Sequence, residues 1–212
     1  MYYKYPRTPH FPWSPGRTRD DRVMNDPHKN FTGKMIVVTL KKDGENTTMY
    51  KDYIHARSID SKDHESRHWV KSLHRNISYL IPTGWRICGE NMYAKHSIHY
   101  TDLETYFYVY SIWNEKNMCL SYLDTVEKCA ELDLLHIPII YIGTWGYITK
   151  EVLQLLLRVN DKEDEEGYVV RLFDSFYYDD FETSVAKYVR ENHVQTDEHW
   201  MHQEIIKNEL KQ

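Results

Sequence analysis

The feature that most constrains the fold is a set of short β-branched and aromatic runs that do not alternate regularly with helical segments. Runs with the composition or the two-residue alternation of strands occupy residues 35–41, 46–54, 85–93, 105–113, 139–142 and 167–173. Periodic apolar residues or capping signals predict helices over 62–80, from Ser121 to about Leu135, after Thr149, and over 197–211. A parallel sheet needs regular strand–helix–strand units, so this pattern favours an α+β fold of antiparallel sheets flanked by helices.

Two details of this prediction concern a turn and a helix face. Asp43-Gly44 is a common turn dipeptide, and it predicts that strands 35–41 and 46–54 pair as a hairpin. Residues 139–142 are expected to form a short buried strand. The apolar face of the helix after Thr149 is predicted to consist of Val152, Leu155, Leu156 and Val159.

The length of 212 residues fits a single domain, with an N-terminal arm over residues 1–34 and the main body over residues 35–212. Residues 1–42 carry nine Lys or Arg against three Asp or Glu, interleaved with aromatic residues and prolines. Such an arm could follow a polyphosphate backbone and stack on bases, or it could wrap and pin its own domain. Composition does not separate these two alternatives.

Several classes of protein are excluded by what the sequence lacks. No apolar stretch approaches the roughly 18 residues that a membrane helix needs, and the N-terminus has no apolar signal core. The three cysteines form neither an even disulfide set nor a zinc pattern: Cys88, Cys119 and Cys129. We therefore expect a protein of the reducing cytoplasm that does not enter the membrane.

The twelve histidines raise the question of a metal site. His64 with His68, and His199 with His202, have helical spacing, but neither pair has a nearby cysteine or third ligand, so exposed polar faces explain them better than zinc. In segment 193–204, His193, Gln195, His199 and Trp200 could reach the phosphates of a bound ligand. The same segment could instead be a helix cap with Trp200 as a core anchor.

Local chemistry makes one of two adjacent lysines, Lys41 and Lys42, a candidate nucleophile. A lysine becomes nucleophilic when burial or a neighbouring cation lowers the pKa of its ammonium group. Lys41 ends an apolar strand, Lys42 supplies a like charge, and alternation points the two side chains to opposite faces. Asp43 would share the face of Lys41, where its carboxylate could orient the amine or help to place a cation.

The rest of the chain resembles, in an ordered series of motifs, the covalent nucleotidyltransferases and, within them, the ATP-dependent RNA ligases. "KKDGEN" is similar to the first motif of that family, Lys-x-Asp-Gly, and "HARS" contains the arginine that follows it. "ICGENMY" resembles the third motif, "FYVYSI" the aromatic motif that stacks on the base, "EEGYVVRL" the fourth motif, and "VAKYVREN" the fifth. The family's functional positions then fall on Lys41, Arg57, Glu90, Tyr110, Glu166 and Lys187.

The resemblance implies an adenylyltransferase domain with a nucleotide cleft between its sheets, ATP and Mg²⁺ or Mn²⁺ as cofactors, and RNA ends as substrates. The roughly 25 residues after Lys187 are too few for an OB-fold, so we expect none. Lys41 would be adenylylated, Arg57 and Glu90 would hold the ribose, and Tyr110 would stack on adenine. Lys187 would neutralise phosphate charge. Glu166 and Asp43 would help to hold the metal ion, while the rest of the acidic run 161–166 is expected to be a solvated loop. A protein partner that recognises RNA ends is a further expectation for so small a domain.

The sequence departs from the family pattern at two positions. Tyr110-Ser111 stands where the family usually has Phe-Asp, and Val189 stands where the fifth motif often has a second lysine. Arg190 could replace that cation, although in a strand it would point away from Lys187. The alternatives are a DNA ligase-like or mRNA capping-like nucleotidyltransferase, or a nucleic-acid-binding module with an inactive site.

Overall fold

Two mainly antiparallel sheets with helices packed against them make up the fold. The structure is a computed structural model that describes residues 1–146, 148–160, 165–191 and 205–212. Within these residues the helices are α1 (Pro27–Phe31), α2 (His68–Ile77), α3 (Tyr122–Glu131), α4 (Lys150–Asn160) and α5 (Phe181–Ser184). The strands are β1 (Met35–Lys41), β2 (Glu45–Tyr50), β3 (Ile54–Ala56), β4 (Arg86–Asn91), β5 (Phe107–Trp113), β6 (Met118–Cys119), β7 (Leu135–His136), β8 (Ile139–Thr144), β9 (Gly167–Leu172), β10 (Phe176–Tyr177) and β11 (Val185–Val189).

The strands are divided between a four-stranded and a seven-stranded sheet. The first has the order β11-β9-β1-β8, and the second has the order β10-β6-β5-β4-β2-β3 with β7 added beside β5. Only the β5–β7 pair is parallel among the described strand pairs. The predicted α+β class, with antiparallel sheets flanked by helices, is confirmed.

The predicted hairpin between β1 and β2 is wrong, because the chain crosses from one sheet to the other at residues 42–44. Both edges of β1 are already occupied, by β8 and by β9, so β2 pairs with β3 and β4 in the other sheet. Gly44 is required here for close approach: a Cβ atom on it would lie 2.6 Å from the carbonyl oxygen of Asn91. The end of β1 is therefore placed where the two sheets meet.

The N-terminal arm supplies part of the core beneath the four-stranded sheet. Phe11 is fully buried, and its ring stacks on Trp13 at a centroid distance of 4.6 Å and on Trp145 at 5.9 Å. Phe31 packs against the same Trp145 ring. A second core lies between the seven-stranded sheet and helices α2 and α3. The arm thus wraps its own domain along this part of its length.

The helix after Thr149 forms, but its buried face differs from the prediction. The Val152 N–H donates to Thr149 Oγ1 at 3.4 Å, as expected for a cap. Leu153 and Leu157 are the buried residues of α4, whereas Val152, Leu155 and Val159 are exposed and Leu156 is only partly buried. Strand β8 is likewise not buried as predicted, because it is the edge strand of its sheet.

The C-terminal prediction is wrong over the residues that can be compared. Residues 192–204 lie outside the described chain, and so do His193, Gln195, His199, Trp200 and His202. Residues 205–212 are not helical; they form isolated bridges, Ala94 with Lys207 and Leu103 with Leu210. The short tail therefore docks as an extended segment on the loop between β4 and β5.

The structure also shows the state of the cysteines and the position of His64. Cys88, Cys119 and Cys129 are free and buried. His64 caps the short 3-10 turn before α2, since its Nδ1 accepts from the N–H of Ser66. None of the described helices has the length and apolar character needed to cross a membrane.

Candidate active site

A cavity of about 420 Å³ opens between the two sheets and brings together residues that are far apart in sequence. That size suits a ligand of nucleotide dimensions, since small-molecule pockets occupy about 300–1,000 Å³. Its walls include five of the predicted site residues: Lys41, Arg57, Glu90, Tyr110 and Lys187. The other two, Asp43 and Glu166, are not among its lining residues, although each is linked to residues that are.

Lys41 lies at the end of β1, where the register of the sheet places it beside the fourth motif. It pairs with Gly167 of β9, and its Nζ forms an ion pair with the carboxylate of Glu166. Burial disfavours the charged ammonium, but the attraction of Glu166 and then of Glu90 outweighs burial and raises the pKa of Lys41 above its ordinary value. The lowered pKa expected for Lys41 is wrong, because the fold places the Glu166 carboxylate beside it, and the local sequence around Lys41 does not reveal this counterion.

Lys42 points away from Lys41 and has its own carboxylate partner, as alternation requires. Its Nζ lies 2.5 Å from Glu165 Oε1, and it sits over the ring of Tyr100 at 4.5 Å from the centroid. The hydroxyl of Tyr100 donates to Glu165 Oε2 at 3.2 Å. Glu165 is 2% exposed, so the prediction that the acidic run is solvated up to Glu166 is wrong at this residue. Two adjacent lysines therefore pair with two adjacent glutamates across the same strand junction.

Glu90 lies on β4 and faces the cavity. Its Oε1 accepts a hydrogen bond of 3.2 Å from the N–H of Gly44. Burial raises the pKa of Glu90 to about 8, with Lys41 opposing this rise and Glu166 and Asp43 adding to it. The carboxyl is therefore mostly protonated at neutral pH and can donate a hydrogen bond as well as accept one.

Tyr110 lies on β5, where its ring forms part of the cavity wall. Its hydroxyl accepts from Asn46 Nδ2, and burial raises the pKa of the phenol well above its ordinary value. The ring of Tyr5 packs edge-on against it at a centroid distance of 5.2 Å. The neutral aromatic ring of Tyr110 is thus available to an apolar or aromatic ligand group in the cavity.

Lys187 and Arg57 supply positive charge from opposite sheets. Lys187 lies on β11 beside Val169 of β9, and burial, followed by repulsion from Lys41, lowers its pKa to about 8. Arg57 follows β3 and is exposed to solvent. Its pKa is lowered by partial burial and by the neighbouring Arg7. Cations that disfavour one another in this way create a site for an anion.

Asp43 and Arg190 are not among the described residues that line the cavity. Asp43 Oδ2 accepts from the N–H groups of Ser97 at 2.7 Å and Ile98 at 3.1 Å, which ties the strand crossing to the loop after β4. The N–H of Arg190 donates to the Glu166 carbonyl oxygen at 3.0 Å. No group of three or more acidic, histidine or cysteine side chains that could hold a metal ion is present among the described residues.

Sequence reasoning missed several residues that line the cavity. Arg171 is buried on β9, where its guanidinium donates to the carbonyl oxygens of Leu120 at 2.7 Å and Leu172 at 3.0 Å. Two-residue alternation along β9 could have identified it, because Val169 and Arg171 lie on the same face. Tyr5, Arg7 and Asp21 also line the cavity, and nothing in the composition of the arm distinguishes them from their neighbours.

The chain resembles known proteins both in sequence and in fold. The family model described as RNA ligase matches residues 34–189. An archaeal ATP-dependent RNA ligase structure has a TM-score of 0.60 and 13% identity, and the match covers 89% of this chain and 48% of that one. No curated protein sequence gives a significant match.

Naegleria gruberi RNA ligase is a second similar structure, solved in several states. A mutant without ligand has a TM-score of 0.57 and 17% identity, covering 91% of this chain and 63% of that one. A mutant with ATP and Mn has a TM-score of 0.56 and 17% identity, covering 85% and 57%. The chain therefore spans about half the length of the archaeal structure and somewhat more of the Naegleria one, and at these identities the likeness establishes the fold.

Proposed function

Because the chain belongs to the RNA ligase family, we propose that it is an ATP-dependent RNA ligase that works through a covalent lysyl-AMP intermediate on Lys41. The observation that carries the proposal is the position of Lys41, which is paired with Glu166 and lines the cavity that also contains Tyr110 and Lys187. Solved relatives in the comparison contain ATP, AMP and Mn. These observations support the use of ATP by this chain.

In the first step, Lys41 Nζ attacks the α-phosphorus of ATP. A nitrogen–phosphorus bond forms, the bond from the α-phosphorus to the bridging oxygen breaks, and pyrophosphate leaves. Such a transfer depends on positioning and on charge neutralisation more than on covalent help from the protein. Lys187 lines the same cavity and provides a cation for the phosphate oxygens.

The attacking amine must first lose a proton, because the neighbouring Glu166 raises its pKa. Glu166 is the immediate acceptor, since it already forms the ion pair with Lys41. When Glu166 is protonated or binds the metal ion, its charge no longer balances that of Lys41. Lys41 then remains buried near Lys187 without its main counterion. Burial and like charge then lower the pKa of Lys41 and favour the neutral nucleophile.

The remaining cavity residues bind the nucleoside part of ATP in this proposal. Tyr110 stacks on adenine, for which its neutral ring is suited. Glu90 and Arg57 line the cavity and hydrogen-bond the ribose. With a pKa of about 8, Glu90 can use either protonation state for this contact.

A divalent metal ion fits the donors that the site offers. Mg²⁺ is commonly bound through one or two carboxylates together with substrate phosphates, so a cluster of three protein ligands is not needed. Glu166 would be a protein ligand of the ion, which would neutralise the phosphates of ATP. Asp43 lies outside the cavity lining, and its Oδ2 already accepts from Ser97 and Ile98.

Two further steps would complete ligation. The AMP group passes from Lys41 to the 5′-phosphate of RNA, which breaks the nitrogen–phosphorus bond and forms a pyrophosphate linkage. A 3′-hydroxyl then attacks the RNA phosphorus, a phosphodiester forms, and AMP leaves. RNA is the proposed substrate because the family is that of RNA ligases.

The proposal is tested by sealing a nick in duplex RNA that carries a labelled 5′-phosphate, with ATP and either Mg²⁺ or Mn²⁺. We expect sealing by the natural chain and a loss of at least a thousandfold for Lys41→Met, because the nucleophile is removed. Lys34→Met is the matched control: Lys34 is exposed and directly precedes β1, so activity is expected to be retained.

Two results would contradict the proposal. Covalent labelling of the protein by GTP and not by ATP would assign the chain to capping-like chemistry. RNA binding without labelling by either nucleotide, in both metals, would favour a binding module with an inactive site.

A further inference from the structure

The N-terminal arm forms part of the cavity wall and is bonded to one sheet before this stretch and to the other sheet after it. The N–H of Tyr3 donates to the hydroxyl of Tyr50, in the seven-stranded sheet, at 2.8 Å. Farther along the arm, the Lys187 N–H donates to Pro9 O at 2.9 Å, and the Phe11 N–H donates to Lys187 O at 2.8 Å. Lys187 belongs to the four-stranded sheet. Residues 5–8, which we call the strap, therefore span the gap between the sheets, and all four line the cavity.

Tyr5 fixes one end of the strap against the aromatic wall of the cavity. Its ring packs edge-on against Tyr110 at 5.2 Å and against Phe181 at 5.4 Å. These contacts hold the strap in one position relative to β5.

Arg7, in the strap, faces a part of the cavity with an excess of positive charge. It lines the cavity together with Arg57 and Lys187. Within the described chain, neither Arg7 nor Arg57 forms an ion pair. Asp20 and Asp21 lie on the same wall, but Asp21 Oδ2 already accepts from the N–H and hydroxyl of Thr18 at 2.9 and 3.0 Å.

We propose that Arg7 is a phosphate-binding residue of the nucleotide site, contributed by the strap and used on the polyphosphate of ATP. The unpaired guanidinium can form charge-assisted hydrogen bonds to phosphate oxygens. ATP is favoured over RNA as the source of the phosphates because the strap lies over the same cavity as Lys41 and Tyr110. The inference rests on the proposed function and adds a residue outside the region matched by the family model.

The test separates the step that uses ATP from the step that does not. Arg7→Ala is compared with Arg19→Ala, an exposed arginine of the same arm that does not line the cavity. We expect Arg7→Ala to raise the ATP concentration needed for half-maximal adenylylation by at least about tenfold, as befits a charged hydrogen bond. Arg19→Ala should change it by less than about twofold. Arg7→Lys should recover part of the loss.

RNA that already carries AMP on its 5′-phosphate provides the second readout, since its sealing needs no ATP. We expect Arg7→Ala to seal it at the rate of the natural chain, which also shows that the variant is folded. Equal losses in both reactions would overturn the inference and assign Arg7 to RNA phosphates or to folding. An unchanged ATP requirement would also overturn it. If the natural chain takes no AMP from ATP, the proposed function itself fails. This result differs from the two that overturn only the role of Arg7, because in those the natural chain is still adenylylated.

Discussion

Two lysine–glutamate pairs lie side by side at the junction of the sheets, and they have different surroundings. In the Lys41–Glu166 pair, the lysine side chain is 22% exposed and faces the cavity. In the Lys42–Glu165 pair, the side chains are 7% and 2% exposed. Alternation along one strand end therefore gives two chemically identical lysines an open and a closed environment.

The closed pair is held by residues from distant parts of the chain. Tyr100 contacts both members, and its N–H donates to Asn208 Oδ1, in the C-terminal tail, at 3.0 Å. Asn208 is itself buried and donates through Nδ2 to Met92 O at 2.8 Å. Lys42 also borders the cavity, but its ammonium group is held between Glu165 and the ring of Tyr100 and is nearly buried. Local sequence does not distinguish the two lysines, whereas the fold leaves Lys41 the more accessible of the two. The closed pair fixes Glu165 and, with it, the start of β9.

The largest change in stability is expected for a substitution of Lys42. Lys42→Met leaves the Glu165 carboxylate buried without its cation, so we expect the free energy of unfolding to fall by about 3–5 kcal/mol. Urea denaturation followed by circular dichroism measures this loss. The double variant Lys42→Met with Glu165→Gln removes both charges and should recover most of the stability. If the single and double variants are equally unstable, the ion pair is not the source of the effect.

A smaller effect is expected at Glu90, which belongs to the open site. Its pKa of about 8 lies above the ordinary carboxyl value, so the folded protein holds this proton between about pH 4.5 and 8 while the unfolded chain has lost it. This group therefore makes the natural chain less stable as pH rises across that window, and its contribution levels off above pH 8. In Glu90→Gln, the fall in the free energy of unfolding across this pH window should be smaller by about 1–3 kcal/mol.

Stability measured at pH 5 and at pH 8.5 checks the Glu90 prediction. Glu115→Gln is a suitable control, because Glu115 is on the exposed surface and its pKa is lowered instead of raised. An equal decline with pH in the natural chain and in Glu90→Gln would contradict the assignment of a raised pKa to Glu90.

The sequence was sufficient to predict β1 to its end residues and the membership of most other strands, because β-branched alternation is a local property. It failed at the β1–β2 turn, since which strand pairs with which depends on edges that are already occupied. It also failed in α4: the position of β8 and the core beneath it select Leu153 and Leu157 over equally apolar neighbours. Periodicity cannot report such tertiary choices.

The candidate site was predicted only as far as a family resemblance extends. Lys41, Glu166 and their companions were found because their motifs occur in order, and β1 pairing with β9 then explains why the first and fourth motifs meet. Glu165 was missed because an acidic run ordinarily lies in solvent. Tyr5 and Arg7 were missed as site residues because the path of the arm across the cavity depends on hydrogen bonds to both sheets.

The central claim is that the open lysine, and not its closed neighbour, carries AMP. The most direct measurement is intact mass and peptide mapping after incubation with ATP and Mn²⁺. We predict one added AMP on Lys41 in the natural chain and in the stable double variant Lys42→Met with Glu165→Gln, and none in Lys41→Met. AMP on Lys42, or an adduct that persists in Lys41→Met, would contradict the account.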